Sequence, residues 1–173
     1  LVSFKRLITS ERLEEITKEI LKVELTQTIF DGSIFRIDRK SENPILDWHQ
    51  DYPHIMQSSN ALTFWIPLNK ITPNQGQVRF VPKSNNKIFP IEYSNKEKSN
   101  SYSTKYIRFQ EQEKLVDQFE QESIRMKTDI EIGDVIIFHA QTLHRSSLNK
   151  TDLARLVAVV RYGDHKEKKL ADR

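Results

Sequence analysis

Ile132-Gly133-Asp134-Val135-Ile136-Ile137-Phe138-His139-Ala140-Gln141-Thr142-Leu143-His144 reads as a turn feeding a buried strand that ends in polar residues. Gly133-Asp134 supplies turn chemistry, and Val135 to Phe138 is the β-branched and aromatic mix that suits a pleated, packed surface. Two histidines beside such an apolar run need hydrogen-bond partners or a metal ion. They lie five apart, so in regular strand they face opposite sides and only one can share a given site. Local physics does not choose between His139 and His144.

Outward from that strand, the chain is a series of similar short runs. Ala61 to Ile66, Gln77 to Val81, Tyr106 to Phe109, Ser123 to Met126 and Leu156 to Tyr162 are all β-rich. Turn residues separate several of them, as in Pro73-Asn74-Gln75-Gly76 and Pro82-Lys83-Ser84-Asn85-Asn86. Thr28-Ile29-Phe30 and Ser33 to Ile37 bracket Asp31-Gly32, which predicts a hairpin. Many short strands with regular turn signals indicate a sandwich or closed barrel. A parallel α/β fold is disfavoured, because helical patterns do not alternate with the strands.

Two segments break the β pattern. Residues 10–22 predict a packing helix, with Ser10 as N-cap, Glu11 and Glu14 in the first turn, and Leu13, Ile16 and Ile20 in one apolar stripe. Residues 91–122 form an insertion in the β-core of 26–90 and 104–162. It runs from the polar Ser94 to Ser103 into a short helix around Leu115, Val116 and Phe119. Long excursions of this kind often act as lids, and this one is expected to lie over the site. A single domain over 1–173 accounts for the whole length.

Composition narrows the function classes. There are no cysteines, so disulfides, thiolate metal sites and cysteine nucleophiles are excluded, and any metal must use His, Asp or Glu. The net charge of +3 is mild, and the one dense basic group, Lys166, Lys168 and Lys169, lacks interleaved aromatics. Nucleic-acid and membrane partners are therefore not expected. The first residues carry Lys5, Arg6, Glu11 and Arg12, which break any signal-like apolar run, and a cytoplasmic location is expected.

The chemistry concentrates in Trp48-His49-Gln50-Asp51. On a strand, His49 and Asp51 project side by side, and a distant histidine completes three corners of a metal site. Two histidines and one carboxylate with open positions are the protein set of a non-heme Fe(II) oxygenase. The spacing alone carries nothing: 5 histidines and 24 acidic residues in 173 positions give about 0.7 chance matches to His-x-acid.

Five pieces in series are more specific. Trp48-His49-Gln50-Asp51-Tyr52, Phe64 to Leu68, Val81 to Ser84, Gly133 to His139, and His144 with Ser146, Asn149 and Arg155 together resemble the phytanoyl-CoA dioxygenase-like branch of the Fe(II)/2-oxoglutarate-dependent oxygenases. The likeness covers roughly Gln27 to Tyr162. It implies a mainly β fold, a double-stranded β-helix (a cupin-like jelly roll). It also implies His49, Asp51 and His144 as iron ligands, with His139 a neighbour. Arg155 matches the arginine that takes the distal carboxylate of 2-oxoglutarate. A guanidinium fork suits that role, because it stays charged when partly dry and binds carboxylate through two prongs. Trp65 matches a residue lining the cosubstrate pocket.

The resemblance implies hydroxylation of a small-molecule substrate with Fe(II), 2-oxoglutarate and O2, since a carboxylate ligand such as Asp51 favours that outcome over halogenation. Gln50, Tyr52, His54, Gln141 and Arg145 are candidate substrate contacts, and Tyr52 with Arg145 suggests a polar or anionic molecule. One departure stands out: Arg145 follows the distal histidine, where the family often has Gly. The rival readings are a cupin-like metal enzyme without 2-oxoglutarate and a non-catalytic metal- or ligand-binding module.

Overall fold

The computed structural model describes residues 2–40, 48–52, 58–93, 107–109 and 112–167. Helices α1 (Val2–Ile8) and α2 (Glu11–Leu21) precede the sheets. The predicted helix is present as α2, while α1 has no counterpart in the sequence reading. Ser10 does occupy the N-cap position with extended backbone, but its side chain makes no capping bond. Glu11 and Glu14 sit in the positive first turn instead.

The main sheet has five strands. β1 (Thr26–Thr28) and β2 (Ile34–Asp38) both lie antiparallel along β10 (Arg155–Asp164), which pairs in turn with β3 (Ala61–Pro67), and β3 pairs with β8 (Ile136–His139). The second sheet joins β7 (Ile124–Arg125), β4 (Val78–Phe80) and β9 (His144–Ser146). β5 (Ile91–Tyr93) and β6 (Ile107–Phe109) form a separate pair, followed by α3 (Gln112–Glu122).

The two larger sheets meet over one apolar core. Trp65, Val157, Val159 and Phe138 from the first pack with Val78 and Phe80 from the second, with Ile71 and Ile130 closing the side. The opposite face of the first sheet is covered by the helices, where Ile8 and Leu13 pack on Leu62, Phe64, Val160 and Tyr162. β10 is therefore buried on both faces, which is why Leu156 to Val160 is a continuous apolar run and not an alternating one. Gly76, at φ 82°, turns the chain where any Cβ would strike the backbone of Ser147.

The hairpin expected at Asp31-Gly32 is not formed. β1 and β2 pair with β10 and not with each other, and Gly32 is absent from the positive-φ glycines that a two-residue hairpin turn requires. The turn residues were read correctly, but the partner of both strands lies more than a hundred positions downstream.

Candidate active site

His49, Asp51 and His144 meet at one end of the space between the sheets. Among the described residues they are the one group of ligand-type side chains close enough to hold a metal ion, with donor atoms within 4.8 Å of one another. His49 and His144 are brought together by backbone pairing: each donates its N–H to the other's carbonyl, at 3.0 and 2.9 Å. Their rings lie 4.2 Å apart between centroids. Residues 48–52 form only this isolated bridge and not the strand expected from sequence. Asp51 nonetheless faces the histidines, with its Oδ1 3.8 Å from His49 Nε2 and 3.9 Å from His144 Nε2.

His144 and Asp51 are prepared for that position by their neighbours. His144 Nδ1 lies 2.8 Å from the Thr142 carbonyl. A carbonyl only accepts, so Nδ1 must carry the proton and Nε2 keeps its lone pair toward Asp51. Burial lowers the proton affinity of this imidazole, which favours the neutral form that a metal needs. Asp51 is fully buried, and burial alone would raise its carboxyl; the Arg161 guanidinium, with the two imidazoles, instead holds it well below the ordinary carboxylate range. Thr63 donates its hydroxyl to Asp51 Oδ2 at 2.6 Å, and Arg161 bridges both oxygens at 3.1 Å each. Two imidazoles and an ionised carboxylate on one face form the donor set suited to ferrous iron.

Arg155 stands on the same face of β10 as Arg161, six residues away, with Val157 and Val159 between them in the core. It is buried, and its Nε and Nη2 both reach Asp38 Oδ2, at 3.0 and 2.6 Å. Its Nη1 is buried without a hydrogen-bond partner among the described residues. Arg36 takes the other oxygen of Asp38 at 2.9 Å. Burial and then Asp38 dominate the Arg155 environment, and the Arg36 charge acts on both Arg155 and His144. The two ends of the site thus share one electrostatic neighbourhood.

The remaining expected residues fall elsewhere. Trp65 lies in the main core, on the same inward row of β3 as Thr63 and opposite Val159. His139 sits opposite Leu62 on the helix-covered side of the first sheet, and its Nδ1 accepts from the Gln141 N–H; a turn separates it from His144, which lies in the other sheet, so the single continuous strand expected from sequence is not formed. The Gln50 amide is committed to the carbonyls of Lys87 and Gln141 and to the Phe89 N–H, so it spaces backbone segments and does not point into the site. Tyr52 is buried with Ala61 and Ala140, and Gln141 turns its amide toward the Ser59 carbonyl. Arg145 alternates with His144 along β9 and so projects from the other face, where it pairs with Glu120 and lies over the Trp48 ring. His54 lies outside the described residues.

Four contributors escaped the sequence reading: Thr63, Arg161, Asp38 and Arg36. Two of them carried a signal. Thr63 shares strand parity with Trp65, and Arg161 shares it with Arg155, so a charged residue inside an apolar strand was on the inward row all along. Asp38 and Arg36 became visible only through the β2–β10 register, which sets Arg155 opposite Asp38 and Val157 opposite Arg36.

The sheets, the triad and the buried arginines define the class: a jelly roll of the Fe(II)/2-oxoglutarate-dependent oxygenase type. Residues 3–157 match phytanoyl-CoA dioxygenase (PhyH), and the chain belongs to that family. Its fold is similar to EctD from S. alaskensis, solved with 2-oxoglutarate and 5-hydroxyectoine (TM-score 0.70, 18% identity, 95% of this chain and 53% of that one). It is also similar to the alpha ketoglutarate dependent epimerase SnoN (0.64, 20% identity, 95% and 57%) and carbocyclase SnoK (0.65, 18% identity, 92% and 58%), both from nogalamycin biosynthesis. The chain thus spans little more than half the length of these structures. No curated protein matches it.

Proposed function

We propose that this chain is an Fe(II)- and 2-oxoglutarate-dependent dioxygenase that hydroxylates a small molecule. The observation that carries this reading is the pairing of a His49–Asp51–His144 donor set with a buried arginine whose Nη1 lacks a partner among the described residues, both on the interior of one jelly roll. His49 Nε2, Asp51 Oδ1 and His144 Nε2 would hold the metal. Bound there, ferrous iron supplies oxygen activation coupled to decarboxylation of 2-oxoglutarate, so that O2, cosubstrate and substrate become succinate, CO2 and alcohol.

The chain's own residues do the positioning. Thr63 and Arg161 hold Asp51 so that Oδ1 faces the metal, and Thr142 fixes the His144 tautomer. Arg155 Nη1 offers a charge-assisted donor to the distal carboxylate of the cosubstrate. The epimerase and carbocyclase among the similar folds carry other outcomes on the same scaffold; the carboxylate ligand Asp51 favours hydroxylation over halogenation, and product analysis separates it from those other outcomes.

The test is spectroscopic. Anaerobic protein with Fe(II) and 2-oxoglutarate is expected to develop a weak visible charge-transfer band that is lost in His49→Ala. Folded wild-type protein without the band, or a band that persists in the variant, refutes the assignment.

A further inference from the structure

Three arginines stand on one rung of the second sheet. Arg79 of β4 lies directly opposite Arg125 of β7 on one side and Arg145 of β9 on the other. Directly opposed residues of an antiparallel pair share a face of the sheet. That face is the outer one, because Arg79 alternates with Val78 and Phe80, which enter the core. Arg145 is also the residue that departs from the Gly often found after the distal histidine. Like charges placed in this way repel one another, and the described residues compensate them only in part. Among these, Glu120 is the one acid paired with the row, through Arg79 and Arg145. Arg125 is exposed and makes no hydrogen bond or ion pair with a described residue. Three guanidinium groups against one carboxylate leave the rung two charges in excess.

The donors of the row are incomplete as well. The Nε atoms of Arg79 and Arg145 are both buried without a partner among the described residues, a cost that an accepting ligand oxygen removes. Two of the three cations are fixed in advance. The guanidinium carbons of Arg79 and Arg145 lie 5.9 and 5.4 Å from the ring centroid of the same indole, Trp48. Arg79 is tied further to the Glu120 carbonyl and to Ser123 Oγ. A ligand therefore meets groups already held, and little side-chain freedom is lost on binding. Neighbouring strands stand about 4.8 Å apart, so a ligand with two linked anionic groups can reach adjacent guanidinia, where a single small anion reaches fewer. Guanidinium forks suit phosphoryl oxygens in particular. We infer that the Arg125–Arg79–Arg145 rung is a binding site for the diphosphate group of a small molecule, on the face of the second sheet opposite to His144. The site does not depend on the metal or on the cosubstrate.

Calorimetry with inorganic pyrophosphate tests it, on the full chain without added metal so that chelation plays no part. Wild-type protein is expected to bind pyrophosphate more tightly than orthophosphate, with an affinity that falls as KCl is raised. Arg125→Gln removes the cation that has no partner, and Arg145→Gln removes one beside Glu120. Each is expected to weaken pyrophosphate binding about tenfold or more, the equivalent of one charge-assisted hydrogen bond. Arg155→Leu is expected to bind pyrophosphate as wild type does, which separates the rung from the buried arginine of the interior. Wild-type protein that binds no pyrophosphate overturns the inference, and so does wild-type affinity in either rung variant. A loss in Arg155→Leu as large as that in Arg125→Gln also overturns it, because the anion then sits in the interior. Where Arg145→Gln does not fold, Arg125→Gln decides alone, since that side chain is exposed and holds nothing in the fold. ADP, titrated alongside, separates the sources of the group: binding tighter than pyrophosphate assigns it to a larger molecule, and weaker binding to free diphosphate.

Discussion

Two buried arginines stand at opposite ends of the inward row of β10, each facing a buried aspartate, and they are finished to different degrees. Arg161 spends all three of its nitrogens, on both oxygens of Asp51 and on a backbone carbonyl. Arg155 spends two on a single oxygen of Asp38 and leaves Nη1 without a partner among the described residues. Like pairs of residue types therefore have unlike uses. A saturated guanidinium sets the charge and orientation of its carboxylate, whereas one with a spare donor is ready for a ligand.

The contrast is broken most directly at Arg155. Arg155→Leu removes the spare donor and is expected to weaken 2-oxoglutarate binding by about 10–100-fold, the equivalent of one or two charge-assisted hydrogen bonds. Metal affinity should stay within a few-fold of wild type, because no ligand touches this residue. Calorimetry with Co(II), then with 2-oxoglutarate, measures the two separately. Equal losses in both would erase the distinction between the ends of the row.

A smaller effect sharpens the comparison at Asp38. Burial alone would raise this carboxyl, but Arg36 and Arg155 together hold it below its ordinary value of 3.8. Its folded-state pKa is thus depressed, so the stability it contributes is fully present above about pH 4 and is lost as pH falls through the folded pKa. Asp38→Asn should cost about 1–3 kcal/mol at neutral pH, with the gap to wild type closing below pH 4. Urea unfolding between pH 2.5 and 7 follows this; a gap that widens in acid contradicts the pairing.

The smallest effect belongs to Arg145. It projects away from the triad onto Glu120 and is partly exposed. Arg145→Ala is expected to cost about 0.5–1 kcal/mol of stability and to leave Co(II) and 2-oxoglutarate affinities within twofold. A tenfold change in either would return this residue to the site.

What the sequence made legible follows the range of the forces involved. Strand identity and inward parity are local, so β3, β8 and β10 were readable; His49 and Asp51 lie on an isolated bridge and not on the strand from which their facing was argued. The choice of His144 over His139 was not local and came only through the family likeness. The antiparallel bridge between His49 and His144 explains it afterwards, since that pairing turns His144 inward. The β1–β2 hairpin failed for the opposite reason. Its turn signal was sound, but β10 outcompeted the neighbouring strand for both sets of backbone donors. Asp38 carried no signal at all, because an aspartate ending a strand is ordinary until the register places a buried guanidinium opposite it.

α3 bears on the metal site without touching it. Glu120 accepts from the Trp48 indole at 3.2 Å and pairs with Arg145 at 2.5 Å, and Phe119 packs edge-on against Trp48. Trp48 and Arg145 are the chain neighbours of His49 and His144, so one carboxylate grips the two segments on which the imidazoles ride. Lifting the helix would loosen both segments that carry the imidazoles together, and amide hydrogen exchange at His49 and His144 would rise in step with exchange in α3.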